Sequence, residues 1–346
     1  MMEPTDDARR AREFCDEILP SVSRTFALSI RMLPGSLGGA VRDAYLLCRV
    51  ADTIEDEPML PAQEKAALLD ALAACFDEPA AAAALSERLA GVAGEEAHVR
   101  LAGHCHLVFA DFRSLPAAAQ AIVKRWVLEM IGGMRKFVLA YPAGIRIQTV
   151  EEYKEYCYYV AGTVGYLLTD LWRAYVPGIS PARYESLRAN SRAFAQALQT
   201  VNILKDVAGD AGRDNSIYIP EQLLRAHGSE QANILEVDRA AQNRAALDAL
   251  VRLAWDDLEH ATAYLLTIPR RAVAIRRSCA LPLLFAYATL RDLTRTPDAL
   301  ARRHTVKISR REVKSLMLLS TLGAASNRAL RALVERTRAR PIELSW

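Results

Sequence analysis

Few stretches of this sequence alternate apolar and polar residues with period two over more than four positions, so a β-sheet has little to be built from. Ala, Leu, Arg and Glu dominate instead, and these residues lose little on entering a helix. Pro and Gly fall where helices would end: Pro34-Gly35, Pro58 to Pro61, Pro79, Gly91 to Gly94, Pro116, Pro142 to Gly144, Pro177-Gly178, Pro220 and Pro269. Roughly ten helical segments lie between them. Residues 62–95 are Ala-rich, but Leu68, Leu69, Leu72, Leu85 and Leu89 keep the spacing of packed amphipathic helices. No repeat of fixed period points to a solenoid, and no segment has a linker's composition. The expectation is an all-α chain forming one domain over residues 1–346.

Charge narrows the function. Lys and Arg number 44 against 41 Asp and Glu, and a net +3 leaves no global nucleic-acid footprint. Arg270, Arg271, Arg276 and Arg277, with Arg302, Arg303, Arg310 and Arg311, could serve a helical nucleic-acid binder, but such runs ordinarily read as solvated helix faces. The expected partners include no nucleic acid. The uncharged stretches Ser278–Leu290 and Ser315–Asn327 are shorter than a membrane span, and Met1 to Arg12 lacks the apolar core of a signal peptide. A cytoplasmic protein is expected. The six cysteines are scattered without a CxxC pair and read as reduced core thiols, and Gly103-His104-Cys105-His106 has no second cluster to complete a zinc site. No GxGxxG, P-loop, HExxH or GxSxG motif is present, so a nicotinamide cofactor would have to bind without a Rossmann fingerprint.

Two segments carry carboxylates in an unusual setting. In Tyr45 to Asp56, the polar residues Tyr45, Arg49, Asp52 and Asp56 are spaced four, three and four apart, which is one stripe of a helix. Leu46, Leu47, Val50, Ala51 and Ile54 surround them, and buried carboxylates are costly unless paired or metal-bound. An Arg49–Asp52 ion pair on a solvated face is the plainer account of this segment alone. A second segment repeats the design. Gln199, Asn202, Asp206 and Asp210 are spaced three, four and four apart among Val201, Ile203, Leu204 and Val207. Two such helices facing each other would offer four carboxylates across one cavity. Oxygen ligands of this kind suit Mg²⁺, which keeps waters and substrate phosphates in its shell. Arg49 and Lys205 would offset charge and contact phosphate. The chemistry implied is Mg²⁺-assisted departure of diphosphate from an organic substrate.

A third segment runs from Tyr153 through Tyr156, Tyr158 and Tyr159 into Ala161, Gly162 and Gly165. Its small residues either permit close helix packing or leave room for a long substrate chain, and a Tyr hydroxyl can act as acid, base or cation stabiliser.

In this order, the three segments resemble the squalene/phytoene synthase family of head-to-head prenyl transferases. Ser23-Arg24-Thr25-Phe26 is similar to the family's Ser-Arg-Ser-Phe element. Asp52 to Asp56 is similar to its first Asp-rich motif, Asn202 to Asp210 to its second, and Tyr156 to Gly162 to its Tyr-Cys-x-x-Val-Ala-Gly signature. Cys279 to Leu290 and Val306-Lys307-Ile308 look like squalene synthases specifically. The resemblance covers about residues 14–320. It implies a single-domain isoprenoid-synthase helical bundle around a central cavity, taking two farnesyl diphosphates to presqualene diphosphate and, with NADPH, to squalene. By that likeness Asp52, Glu55, Asp56, Asn202, Asp206 and Asp210 are the metal set. Ser23, Arg24, Phe26, Arg49, Ala161, Gln199, Asn202, Lys205 and Arg213 meet substrate. Tyr45 lines the reacting region, Tyr156 removes the proton of the first half-reaction, and Lys307 and Arg310 meet the NADPH phosphates.

Three departures from the family pattern stand out. Ser216 occupies a position where the family has Arg, and Arg213 is expected to take over its phosphate contact. Lys205 replaces an Arg. The sequence stops at Trp346 without the hydrophobic anchor of eukaryotic relatives, which leads to the expectation of a soluble protein or one peripheral at the inner face of the membrane. A synthase that stops early, making dehydrosqualene, phytoene, presqualene diphosphate or hydroxysqualene, would use the same Asp motifs and is the alternative. A non-catalytic scaffold would have no need of four carboxylates.

Overall fold

The computed structural model describes residues 6–213, 215–296 and 306–344, with the side chain of Arg213 outside that set. The described residues are all-α, and their β-structure is limited to one isolated bridge between Arg146 and Ile217. Contacts divide the chain into two compact units. One is Met1–Ala143 with Asp170–Tyr175, and the other is Gly144–Thr169 with Val176–Trp346.

The first unit is organised by the Gly35–Glu55 helix, which packs against the Cys105–Arg113 and Ala117–Ala140 helices. Pro34, Pro61 and Pro116 are the N-caps of three helices, where a fixed φ and a missing N–H cost nothing. The long helix also buries charge. Arg42 is 6% exposed and donates to Asp43 at 2.9 Å, to Asp16 at 2.5 Å and to Asp111. Asp43 is fully buried, and its Oδ2 meets no hydrogen-bond partner. Burial lifts its carboxyl to about 6 against the opposing pull of Arg42.

The second unit is built on the 33-residue Pro181–Arg213 helix lying along the Ala240–Thr267 helix. Two buried arginines tie its last helices together. Arg276, expected on a solvated face, is 0% exposed; it donates to the carbonyls of Ile268 at 2.6 Å, Leu265 at 3.3 Å and Ala324 at 2.5 Å, and to Asn327 Oδ1 at 2.6 Å. It thereby satisfies carbonyls left over at two helix C-termini. Arg291 grips Glu312 with both Nη atoms, at 2.8 and 2.9 Å, and donates to the carbonyl of Thr337 at 2.9 Å. Arg270 and Arg271 are exposed as expected, and Arg302 and Arg303 lie outside the described residues.

All six cysteines are free and buried, and burial pushes the Cys157 thiol up to about 12. The Val273–Arg295 helix is long and apolar enough to cross a membrane, which the shorter uncharged runs in the sequence do not suggest, but 72% of its apolar window is buried inside the protein. Pro282 and Pro20 lie within helices rather than at their ends.

Candidate active site

In the first unit the structure gathers the Ser23 element and the first acidic stripe. Ser23 caps the Arg24–Ile30 helix, its Oγ accepting the Phe26 N–H at 3.1 Å. Phe26 is thereby placed with its ring centroid 5.5 Å from that of Tyr45. Burial raises the Tyr45 hydroxyl above the usual phenol value, with Arg49 and a hydrogen bond to Ser23 opposing. Arg24 is exposed.

One turn further along the helix, Arg49 Nη1 donates to Asp52 Oδ2 at 2.8 Å, and Arg49 Nη2 lies 3.4 Å from His98 Nε2. The pair is half-buried, its side chains 26% and 20% exposed. Burial raises the Asp52 carboxyl, and Arg49 works against it. Burial also disfavours the Arg49 charge, but Asp52, Tyr45 and Asp56 outweigh it and the guanidinium is raised. Burial, and then Arg49, lower His98. Asp56 is exposed at the helix C-cap, its N–H donating to the Asp52 carbonyl at 2.8 Å. Glu55 is only 7% exposed, so it lies on the buried side of this helix end.

The turn that follows depends on Glu57, which the sequence reading did not single out. It is 3% exposed, and its carboxylate accepts the N–H groups of Met59 at 2.7 Å, Leu60 at 2.5 Å and Ala93 at 3.1 Å. Lys65 donates to the Glu55 carbonyl at 2.7 Å. Burial lowers its ammonium, while Asp56, Glu57 and Glu55 oppose.

In the second unit, Gln199, Asp206 and Asp210 are half-exposed and Asn202 is exposed, while Val201, Ile203, Leu204 and Val207 on the same helix are buried. The stripe read from spacing is therefore the accessible side of a helix whose other side is core. Lys205 Nζ lies 3.1 Å from Asp206 Oδ2. Beyond the helix, Ser216 Oγ accepts the Ile145 N–H at 3.2 Å and the Ser216 N–H donates to the Asp210 carbonyl at 3.0 Å. This position, 7% exposed, thus ties down the end of the acidic helix. Asn215 has φ +45°, and its Oδ1 accepts from Arg146 Nη2 at 2.6 Å, so Arg146 brings a guanidinium to the segment next to Ser216, where the resemblance implies an Arg.

The tyrosine segment lies in the same unit. Tyr156 is 3% exposed and stacked on Tyr218, centroids 5.0 Å apart at 24°. Tyr153 donates its hydroxyl to Thr200 at 3.0 Å. Tyr158–Gly162, which includes the buried Ala161, is a single π-helical turn, a local irregularity often found at functional sites. Gly165 serves packing: a Cβ there would fall 2.1 Å from the carbonyl oxygen of Ser191. Asp257, also missed by the sequence reading, has a carboxyl lifted to about 6 by burial, with His260, Lys154 and Arg192 opposing.

Near the C-terminus, Lys307 and Arg310 are both exposed, and Arg310 opens the Arg310–Gly323 helix, whose N-cap Ser309 accepts the Glu312 N–H at 3.0 Å. Two accessible cations beside a helix start form a donor set suited to phosphate.

The profile of the squalene/phytoene synthase family matches residues 19–312, and the chain belongs to that family. Squalene synthase 1 of Arabidopsis thaliana is 28% identical over 280 residues, covering 80% of this chain and 64% of its own length. The chain thus spans about 64% of the curated relative. The solved complex of TcSQS with the ligand BPH1237 superposes with a TM-score of 0.81 at 26% identity, over 97% of this chain and 92% of that one. A dehydrosqualene synthase in complex with ligand shares the fold, with a TM-score of 0.64 at 19% identity over 97% and 98% of the two chains.

Proposed function

We propose that the chain is a squalene synthase, condensing two farnesyl diphosphates head to head to presqualene diphosphate and reducing this to squalene. The observation that carries the reading is the pair of accessible acidic stripes, each on a helix that buries apolar residues beside it and each with its own cation, Arg49 at 2.8 Å from Asp52 and Lys205 at 3.1 Å from Asp206. These oxygen-only donors suit Mg²⁺, which Asp52 and Asp56 would hold on the first stripe and Asp206 and Asp210 on the second, with Asn202 as a further oxygen; Glu55, on the buried side of its helix end, drops out of the expected set. The ion would supply Lewis-acid charge at the departing diphosphate.

The remaining work falls to the protein's side chains. Arg24, Arg49, Lys205 and Arg213 hold diphosphate oxygens, and Arg146 joins them beside Ser216. Ser23 and Phe26 fix Tyr45 through the hydrogen bond and ring contact already described. Ala161 and Gln199 bound the space for the isoprenoid chain. When the first allylic C–O bond breaks, its electron pair leaves with diphosphate, and the double bond of the second molecule attacks the cation. Closing the cyclopropane requires loss of one proton, which the Tyr156 hydroxyl accepts or relays. When the second C–O bond breaks, its electron pair also leaves with diphosphate; Lys307 and Arg310 would hold the phosphates of NADPH, the hydride donor for the carbocation that results.

The test is chromatography of the products formed from farnesyl diphosphate with Mg²⁺, with and without NADPH. Squalene at saturating NADPH supports the reading. Dehydrosqualene, phytoene or hydroxysqualene in its place would assign the chain to another member of the family.

A further inference from the structure

We propose that the outer face of the Arg310–Gly323 helix docks on an anionic lipid bilayer. Arg311, Lys314, Leu318 and Leu322 follow one another at spacings of three, four and four, which places them on one stripe. All four are exposed, Leu318 by 38% and Leu322 by 73%, while Glu312, Ser315, Leu316 and Ser320 face the core. A helix of a globular protein ordinarily hides its leucines. This one presents two to solvent, in line with two cations, so a single exposed stripe offers apolar area for insertion at a bilayer surface and charge for anionic headgroups.

The surroundings have the same sign. Residues 306–344 hold nine Lys and Arg against three Asp and Glu, a net +6 where the whole chain carries +3. One of those three acids, Glu312, is buried against Arg291, so it does not offset the surface. On the neighbouring Asn327–Ala339 helix, Arg328, Arg331 and Arg336 are exposed, while Arg338 is paired with Glu259 at 3.1 Å. Such a surface is drawn to anionic headgroups, and the attraction is screened by salt. Charge complementarity selects this occupant. Two copies of the chain would bring like charge together, and a nucleic acid would leave the leucine pair without a role. The docking needs no catalysis, so it stands or falls separately from the proposed reaction.

The experiment is flotation of the full chain with vesicles of phosphatidylcholine alone and of phosphatidylcholine containing roughly a third phosphatidylglycerol. Binding to the second kind, weakened by added salt, is expected. The double variants Leu318→Ser/Leu322→Ser and Arg311→Glu/Lys314→Glu should each weaken it by roughly tenfold or more. Turnover of farnesyl diphosphate in detergent should be unchanged in both, which also shows that they fold. Failure of the wild type to bind anionic vesicles, or binding by both variants as tight as wild type, overturns the proposal. So does a dimer in light scattering that the leucine variant dissociates, which would make the face a contact between copies. DNA binding that the charge variant loses and the leucine variant keeps, without vesicle binding, would make it a nucleic-acid surface.

Discussion

Arg49 donates from Nη1 to Oδ2 of Asp52 at 2.8 Å, three residues apart on the same helix. The plainest reading of the sequence foresees this pair on a solvated face, yet its two side chains are only 26% and 20% exposed. A guanidinium and a carboxylate held half-buried and in contact are already oriented, so a metal and a diphosphate arriving together would each find its partner in place.

Asp52→Asn and Asp206→Asn test the acidic stripes. Asparagine keeps the shape and can still accept from Arg49 or Lys205, but it removes the charge a divalent ion needs. Pyrophosphate release from farnesyl diphosphate should fall by roughly 10²–10³-fold or more in each variant, as for loss of a main electrostatic contact to a developing charge. Near-normal release with an unchanged circular dichroism spectrum would remove the stripes from the chemistry.

Tyr156→Phe removes one hydroxyl and leaves the ring against Tyr218, 5.0 Å away, so packing should survive. Presqualene diphosphate formation should drop by roughly 10²–10⁴-fold, the usual contribution of a general base. A rate within a few-fold of wild type would place the proton acceptor elsewhere.

Gly165→Ala separates the two accounts of the small-residue patch. The new methyl would lie 2.1 Å from the Ser191 carbonyl oxygen, a main-chain atom that cannot swing aside. Urea denaturation should show a loss of about 1–3 kcal/mol, the range for overpacking. A variant as stable as wild type but altered in product chain length would assign the glycine to the substrate cavity.

Asp43 makes stability depend on pH. Its carboxyl titrates at about 6 in the folded protein against an ordinary 3.8, so the native state holds the proton more tightly than the unfolded chain. Its contribution to stability therefore falls as pH rises from 3.8 to 6 and stays low above. Asp43→Asn should flatten the stability profile in that window and be at least as stable as wild type at neutral pH. Asp257 titrates in the same range and remains in both proteins, so the difference between the two profiles isolates Asp43. An unchanged slope would show that the cluster relieves its charge another way.

Much of the fold was legible because its signals are local. Helix ends announced by Pro34, Pro61, Pro116 and Pro220 lie where expected, and the spacing of Gln199, Asn202, Asp206 and Asp210 marked one stripe of a 33-residue helix, which proves to be accessible. What escaped depends on partners distant in sequence. Arg276 meets Ala324 across 48 positions, so it read as a solvated charge, and Arg42, which meets Asp111 across 69, was not singled out at all. Glu57 was overlooked for a similar reason: a Glu after an acidic motif looks like one more acid until Ala93 is seen to donate to it. Tyr218, the stacking partner of Tyr156, sits 62 residues away in a short stretch with no periodicity of its own.

Lys307→Ala addresses the reductive step. Lys307 is exposed just before the Arg310–Gly323 helix, apart in sequence from both acidic stripes, so its loss should leave their chemistry intact. Removing one of two cations weakens a phosphate contact without abolishing it, since Arg310 remains. The expected result is unchanged consumption of farnesyl diphosphate, with squalene giving way at low NADPH to presqualene diphosphate or to alcohol and diene products. Raising NADPH should restore squalene, so the change appears in the apparent KM for NADPH, by roughly tenfold, with kcat little affected. Product chromatography over an NADPH titration reads both quantities. A variant that makes squalene with wild-type dependence on NADPH would free Lys307 of this role, and one that loses farnesyl diphosphate consumption as well would move it into the first half-reaction.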